Sequence, residues 1–245
     1  MTGRLVVEPH RIVLDGVEFR RGAILKKDFF STNLFLYGDG RTYVLKHSFF
    51  NFFLGRAFRW IAHWLSRRES SIYARLQGID GIPYLFPVRG RDFFLHEYIE
   101  GWPLSQCQDV PDGFFDQLVA LVHRVHERGV AYADLSKRSN VIVTPEGRPY
   151  LIDFQISPVR LPRTYFFRPF VDGLVRLIQD EDLRHVVKHK KSLRPDEMTE
   201  AEWDVYRAKS LANRLHKVLL RKPWLSVKRR IWPKGSDEKR KRFRE

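Results

Sequence analysis

The first part of the chain alternates short apolar runs with glycine-containing turns, a pattern typical of antiparallel strands. Apolar runs such as residues 11–14 and 34–37 are separated by turns, among them Asp39-Gly40. An Asp-Gly pair between two apolar runs is a strong indication of a hairpin. Residues 10–46 are therefore predicted to form β-structure, and the strand that follows this turn ends on Lys46.

A helix is predicted for residues 50–77, because apolar residues recur there at the spacing of one helix face. The predicted apolar face consists of Phe50, Phe53, Leu54, Ala57, Phe58, Ile61, Trp64 and Leu65. The pattern stops at Gly78, and a further buried strand is predicted over residues 91–99 before a break at Gly101. Strands with a single helix in front of this break predict a small first lobe, residues 1–100.

The second half begins with a predicted helix that ends at Gly129, where glycine can act as a C-cap. The face of this helix carries Phe114, Leu118, Leu121, Val122 and Val125. Two short apolar strands follow, at residues 141–143 and 150–152, and the remainder is helical and increasingly basic. The predicted fold class is thus α+β, with a mainly helical second lobe over residues 101–220 and a flexible basic tail over residues 221–245.

Charge and cysteine content indicate which classes of partner and which cellular compartment to expect. The formal net charge of +15 and the isoelectric point near 10.1 indicate anionic partners such as phosphates, nucleic acid or an acidic membrane surface. Cys107 is the single cysteine, so an intramolecular disulfide is impossible and a reducing compartment is expected. The N-terminus lacks the apolar core of a signal peptide, and no run of 18 apolar residues occurs. A cytoplasmic protein is therefore expected.

Polar residues with catalytic potential are concentrated between residues 126 and 154. Asp134 lies in a loop after a helix, Asn140 at the start of a strand, and Asp153 at the end of the strand paired with it. Such a hairpin would bring Asn140 and Asp153 together, with Asp134 facing them. Two oxygen ligands that leave room for water and phosphate suit Mg²⁺, and a third carboxylate can accept the proton of an attacking hydroxyl.

This segment resembles the catalytic and magnesium loops of the protein-kinase superfamily, in which Asp-Leu is followed by an Asn at a strand and then by a hydrophobic-Asp-Phe. The resemblance implies a bilobal protein-kinase-like fold with a small, mainly antiparallel first lobe. It also implies ATP and Mg²⁺ as cofactors, Asp134 as the catalytic base, and Asn140 and Asp153 as metal ligands.

Residues upstream also resemble the superfamily pattern. The run Tyr43-Val44-Leu45-Lys46 resembles the strand whose lysine contacts the ATP phosphates, and Glu69 resembles the helical glutamate that pairs with that lysine. The segment from Phe94 to Gly101 resembles the hinge, whose backbone at Glu97 and Ile99 would hold adenine.

The chain departs from the superfamily pattern at several points. The usual glycine-rich loop is replaced by residues 26–33, where Ser31, Thr32, backbone amides or Lys27 would hold phosphate instead. Asn140 lies six residues after Asp134 (140 − 134), one more than usual, and no Ala-Pro-Glu follows. In these departures the chain resembles the compact bacterial branch of the superfamily. That branch includes lipopolysaccharide-core heptose and Kdo kinases, and RIO-like kinases.

Two segments rich in aromatic and basic residues are candidates for contact with an anionic surface. The alternatives are a helix packed into the core of the lobe for the first segment and a solvated tail for the second. Residues 49–65 combine aromatic residues with arginines, and Phe49, Phe52 and Trp60 fall off the predicted apolar face. Residues 221–245 are polybasic and contain tryptophans. An anionic membrane surface is preferred over RNA as the partner of these segments, because no nucleic-acid recognition motif is present.

Several functions remain open at this level. The leading hypothesis is an ATP-dependent kinase that transfers the γ-phosphate to a hydroxyl acceptor, either a lipopolysaccharide-core sugar or a protein Ser/Thr. The alternative is a pseudokinase that serves as a membrane-associated or RNA-associated binding module. The missing glycine-rich loop favours the alternative, whereas the retention of Lys46, Asp134, Asn140 and Asp153 favours an active enzyme.

Overall fold

The computed structural model describes residues 5–7, 11–14, 16–27, 31–48, 59–90, 92–162 and 164–208 of the chain. The predictions for residues 49–58 and for the basic tail lie outside the described residues. Strands dominate the first part of the described chain and helices the second. This arrangement confirms the predicted α+β fold class, whereas the proposed lobe boundary at residue 100 stays a prediction.

The first lobe is built on an antiparallel sheet. Its strands are β1 (Leu5–Val7), β2 (Arg11–Leu14), β3 (Val17–Lys27), β4 (Ser31–Gly38), β5 (Arg41–Ser48), β6 (Leu85–Arg89) and β7 (Phe93–Glu97). They lie in the order β1-β2-β3-β4-β5-β7-β6. The predicted hairpin joins β4 to β5, and its turn residues Asp39 and Gly40 have φ of 50° and 70°. Such left-handed values match the favoured two-residue hairpin turns.

The two faces of this sheet have different roles. One face carries an apolar cluster that includes Leu45 and Tyr43, and the Phe19 ring meets the Tyr43 ring edge-on with centroids 5.4 Å apart. The other face carries Lys46, because successive side chains of a strand point to opposite sides. Lys46 is in register with Phe94 of β7. Lys46 therefore lies on the opposite face of the sheet from the apolar cluster of Leu45 and Tyr43, here called the outer cluster.

The helix α1 (Arg59–Leu76) packs against β5, β6 and β7. It confirms the predicted helix over residues 59–76, but the predicted apolar face is wrong at Trp64, which is 55% exposed. The buried positions are instead Ala62, Ser66, Glu69, Ser70, Ile72, Tyr73 and Leu76. The reason is that α1 covers the polar residues of the cleft, so its buried face contains a glutamate and serines and cannot be found from hydrophobic periodicity.

The second lobe is mainly helical. Its elements are β8 (Trp102–Pro103), α2 (Phe114–Glu127), β9 (Val141–Val143), β10 (Pro149–Leu151), α3 (Arg168–Leu193) and α4 (Glu200–Arg207). The predicted face of α2 is buried throughout, and Gly129 has φ of 72° just beyond the helix end, as a C-cap requires. β9 and β10 pair as the predicted hairpin. Asn140 and Asp153 flank this hairpin, and Asp134 lies in the loop between α2 and β9.

Candidate active site

Lys46 forms two ion pairs at the junction of the lobes. Its Nζ lies 2.7 Å from Glu69 Oε1 and 2.8 Å from Asp153 Oδ1. Lys46 and Glu69 are buried, with 4% and 0% exposure, so both charges are removed from water. The expected Lys46–Glu69 pair is present, and it connects β5, α1 and the strand-end residue Asp153 in one network.

Electrostatics keeps Lys46 charged despite its burial. Burial by itself lowers the pKa of Lys46, but the carboxylates of Asp153 and Glu69 outweigh this effect and raise the pKa above its ordinary value. The lysine is therefore a fixed cation, held at one position by two carboxylates. A cation held in this way is suited to bind phosphate oxygens.

Asp153 is placed by the β9–β10 hairpin and by α1. The Ile152 N–H donates to the Asn140 carbonyl at 3.1 Å, which brings Asn140 close to Asp153 as predicted. Asp153 has φ of 68°, a left-handed conformation that is rare outside glycine. The Asp153 N–H donates to the Tyr73 hydroxyl at 3.1 Å, and this bond helps to hold the unusual conformation.

The loop after Asp153 is bound to α1 by a second residue that the sequence did not single out. Arg68 donates from Nη1 to the Gln155 carbonyl at 2.7 Å and from Nη2 to the Ser157 carbonyl at 2.6 Å. The planar guanidinium suits two acceptors at once. Through Arg68 and Tyr73, α1 is held against the loop that carries Asp153.

Asp134 receives two hydrogen bonds on a single carboxylate oxygen. Asn140 Nδ2 donates to Asp134 Oδ2 at 2.9 Å, and Lys137 Nζ donates to the same oxygen at 2.7 Å. Asp134 is 7% exposed, whereas the Lys137 side chain is 60% exposed. Lys137 was missed by sequence reasoning. Lys137 is thus a second cation of the site besides Lys46, and it lies next to the candidate base.

The backbone in front of Asp134 is fixed from α3. Asp182 is 1% exposed and accepts hydrogen bonds from the Tyr132 N–H at 2.7 Å and the Ala133 N–H at 2.9 Å. Ala133 has φ of 67°, which is unfavourable for a residue with a Cβ and needs such support. No local sequence pattern marks Asp182, because its partners are some fifty residues away in the chain.

Magnesium fits the oxygen ligands of this site. Because Asn140 Nδ2 is directed to Asp134, the amide Oδ1 faces away from it and can act as a ligand. The Asp153 side chain is 22% exposed and so can be reached by an ion. In the described part of the chain, no group of three or more His, Cys, Asp or Glu side chains could hold a metal on its own. Asn140 and Asp153 would therefore hold Mg²⁺ together with phosphate and water oxygens.

The residues proposed to hold phosphate lie at the start of β4. Ser31 and Thr32 are buried there, next to residues 28–30, which the structure does not describe. Asn33 is in register with Lys46 on the neighbouring strand. Its Oδ1 is buried and has no hydrogen-bond partner among the described residues. Asn33, which sequence reasoning missed, therefore provides a polar group beside the Lys46 position.

The two predicted hinge residues differ in what their backbone groups contact. The Glu97 N–H donates to the Tyr84 carbonyl at 2.8 Å, and the Glu97 carbonyl accepts from His96 Nδ1 at 2.8 Å. The backbone groups of Ile99 form no hydrogen bond with any residue that the structure describes. The adenine-binding role of both residues stays a prediction.

The buried His96 is expected to make the folding stability depend on pH. Burial lowers its pKa from 6.5 to about 4, although the hydrogen bond to the Glu97 carbonyl opposes this shift. Because the folded pKa lies below the unfolded one, stability is fully present above the unfolded value and is lost as pH falls from 6.5 towards 4. We expect His96→Gln to remove roughly 2 kcal/mol of the stability difference between about pH 7 and about pH 4.5.

Urea unfolding of wild type and His96→Gln at both pH values measures this difference, since other titrating groups are common to the two proteins. Equal pH dependence in both proteins would contradict the assignment to His96.

The Tyr73 hydroxyl is expected to support Asp153. Tyr73→Phe leaves the Asp153 N–H without its partner, which should cost about 1–2 kcal/mol of folding free energy. It should also raise the Mg²⁺ concentration needed for nucleotide stabilisation several-fold, because the ligand is less firmly placed. Tyr43→Phe, which removes a hydroxyl from a ring in the outer cluster, serves as the control. If Tyr73→Phe and Tyr43→Phe behave alike in both measurements, the hydroxyl does not position Asp153.

Comparison with known proteins identifies the fold. No protein-family model matches the chain. In structure the chain is similar to the Rio2 kinase of Chaetomium thermophilum, with a TM-score of 0.54, 16% identity, and coverage of 82% of this chain and 67% of that one. The Rio2 kinase–ADP/Mg²⁺–phosphoaspartate complex from the same organism gives a TM-score of 0.55 at 16% identity, covering 83% and 66%.

In sequence, the chain is 35% identical over 100 residues to CBL-interacting protein kinase 16 of Oryza sativa subsp. japonica. That similarity covers 37% of this chain and 22% of the relative, so the chain spans less than a quarter of that protein. The fold is thus protein-kinase-like, as the sequence predicted. The narrower relation to the bacterial lipopolysaccharide-core kinases stays a prediction.

Proposed function

We propose that this protein is an ATP-dependent phosphotransferase that acts on a hydroxyl acceptor. The observation that carries the proposal is the assembled network in which Lys46 contacts both Glu69 and Asp153, while Asp134 contacts Asn140. A fold that had kept only a binding role would not need a buried cation between two carboxylates together with a third carboxylate, Asp134, that contacts an amide. The Rio2 kinase with a similar fold was solved with ADP and Mg²⁺, which supports the same ligands here.

The proposed roles follow from the contacts of each residue. Lys46, steadied by Glu69, would bind phosphate oxygens of ATP. Asp134 would orient the acceptor hydroxyl and take up its proton as the acceptor oxygen bonds to the γ-phosphorus and the bond to ADP breaks. Lys137 would offset negative charge at the reacting phosphoryl group. Asn140 and Asp153 would hold Mg²⁺, which when bound neutralises phosphate charge.

For the acceptor, we propose a lipopolysaccharide-core sugar ahead of a protein Ser/Thr. Only residues 154–167 separate Asp153 from α3, which leaves little chain to build a platform for an extended peptide. A cytoplasmic placement at the inner face of the membrane, which the sequence left open, would accord with a sugar acceptor at a membrane. Among the helices that the structure describes, none is long and apolar enough to cross a membrane.

Thermal stabilisation by ATP tests the nucleotide site without knowledge of the acceptor. ATP at 100 times its Kd should stabilise the wild type by about 2.7 kcal/mol when Mg²⁺ is present. Asp153→Asn should lose the Mg²⁺-dependent part of this shift, and Asp80→Asn, at an exposed position, should keep it. The absence of any shift in a folded wild type would refute the kinase proposal and favour the pseudokinase alternative.

A further inference from the structure

An exposed aromatic surface lies where the chain enters α3. It consists of Tyr165, Phe166, Phe167 and Phe170, here called the aromatic patch. Phe166 is 90% exposed, Phe170 is 78% exposed and Phe167 is 70% exposed. Single exposed apolar side chains are ordinary, but several together mark a site of interaction.

Backbone hydrogen bonds form turns beneath the aromatic patch. The Tyr165 N–H donates to the Pro162 carbonyl at 3.2 Å, and the Arg168 N–H donates to the Tyr165 carbonyl at 3.1 Å. The Phe166 and Phe167 rings contact each other edge-on with centroids 5.4 Å apart. The rings are therefore presented on a turn and on the first turn of a helix.

The patch faces away from the interior of the lobe. α3 buries Val175, Gln179 and Asp182 against the rest of the lobe, whereas Phe170 and Leu174, one turn apart, are exposed. A ring that is 90% exposed protrudes from the surface and does not line a groove. Protruding rings can enter a soft, extended surface, such as the headgroup region of a bilayer, without a matching pocket.

The charge around the patch favours an anionic partner. Within residues 156–176 the described arginines are Arg160, Arg168 and Arg176, and the one acidic residue is Asp172. Arg168 pairs with Asp172 at 3.1 Å, and Arg176 is exposed. Aromatic rings next to arginines are typical of surfaces that bind at the membrane interface. The net charge of +15 over the whole chain adds a long-range attraction to such a surface.

We propose that the aromatic patch docks on an anionic lipid surface, with the rings among the headgroups and the exposed Arg176 on a lipid phosphate. The contact is peripheral. It does not depend on the proposed phosphotransfer, and it involves described residues other than the two segments that the sequence had marked for membrane contact.

Vesicle flotation of the full-length chain tests this inference. Wild type should bind phosphatidylcholine vesicles that contain phosphatidylglycerol and should bind pure phosphatidylcholine vesicles far more weakly, with binding reduced by added salt. Phe166→Ser combined with Phe170→Ser should weaken binding by at least about tenfold, because two rings no longer leave water. The control is Tyr84→Ser with Trp102→Ser, two aromatic residues elsewhere that are 53% and 56% exposed, and it should bind like the wild type.

Urea unfolding confirms that each variant is folded before its binding is compared. The proposal is wrong if wild type does not bind the anionic vesicles, or if the patch variant binds them as tightly as the control. It is also wrong if substitution of the basic residues 239–242 abolishes binding while the patch variant retains it. A wild type that is dimeric by light scattering, becomes monomeric in the patch variant and binds no vesicles would assign the patch to self-association instead.

Discussion

Asp134→Asn is expected to slow phosphoryl transfer by a factor of about 10²–10⁴, the usual contribution of a general base. The amide keeps an oxygen that can accept from Asn140 and Lys137, so the local geometry should survive, but it cannot take up the acceptor proton. Stabilisation by ATP and Mg²⁺ should therefore remain close to that of the wild type. Asp134→Ala should show the same separation between binding and transfer.

Because the acceptor is not identified, ATP turnover with water as the acceptor provides the measurement. Released phosphate is followed for wild type, Asp134→Asn and the control Asp80→Asn, whose side chain is 71% exposed. Turnover by Asp134→Asn at the rate of the control would show that another group takes the proton.

Lys46→Met is expected to cause the largest loss of stability, about 3–5 kcal/mol, because it leaves a buried carboxylate without its main counter-charge. Glu69 is fully buried, with 0% exposure, so water cannot replace the lysine. The double variant Lys46→Met/Glu69→Leu removes both charges and should return to within about 1–2 kcal/mol of the wild type. Both proteins should lose stabilisation by ATP, since the phosphate contact is gone in each.

Urea unfolding of the four proteins in this cycle gives the coupling free energy between Lys46 and Glu69. Arg207→Met breaks an exposed pair with Asp204 at 3.4 Å and should change stability by less than about 1 kcal/mol. A loss in Lys46→Met no larger than in this control would show that the buried pair contributes little to the fold.

The amino-acid sequence determined much of the local structure. The hairpin at Asp39-Gly40, the end of α2 at Gly129 and the strands on either side of residues 144–148 follow from periodicity and turn chemistry that operate over a few residues. Asn140 and Asp153 could be placed together for the same reason, because a single short hairpin connects them.

The tertiary structure alone decided which distant groups support this site and which surfaces stay open. Asp182 holds the backbone before Asp134 from about fifty residues away, and Tyr73 reaches Asp153 across eighty. Trp64 has the spacing of a core residue yet is exposed, because α1 buries the strip that contains Glu69 instead. The aromatic patch also could not be told from core residues by pattern. Hydrophobic spacing reports that a residue could be buried, whereas the packing of whole elements decides whether it is.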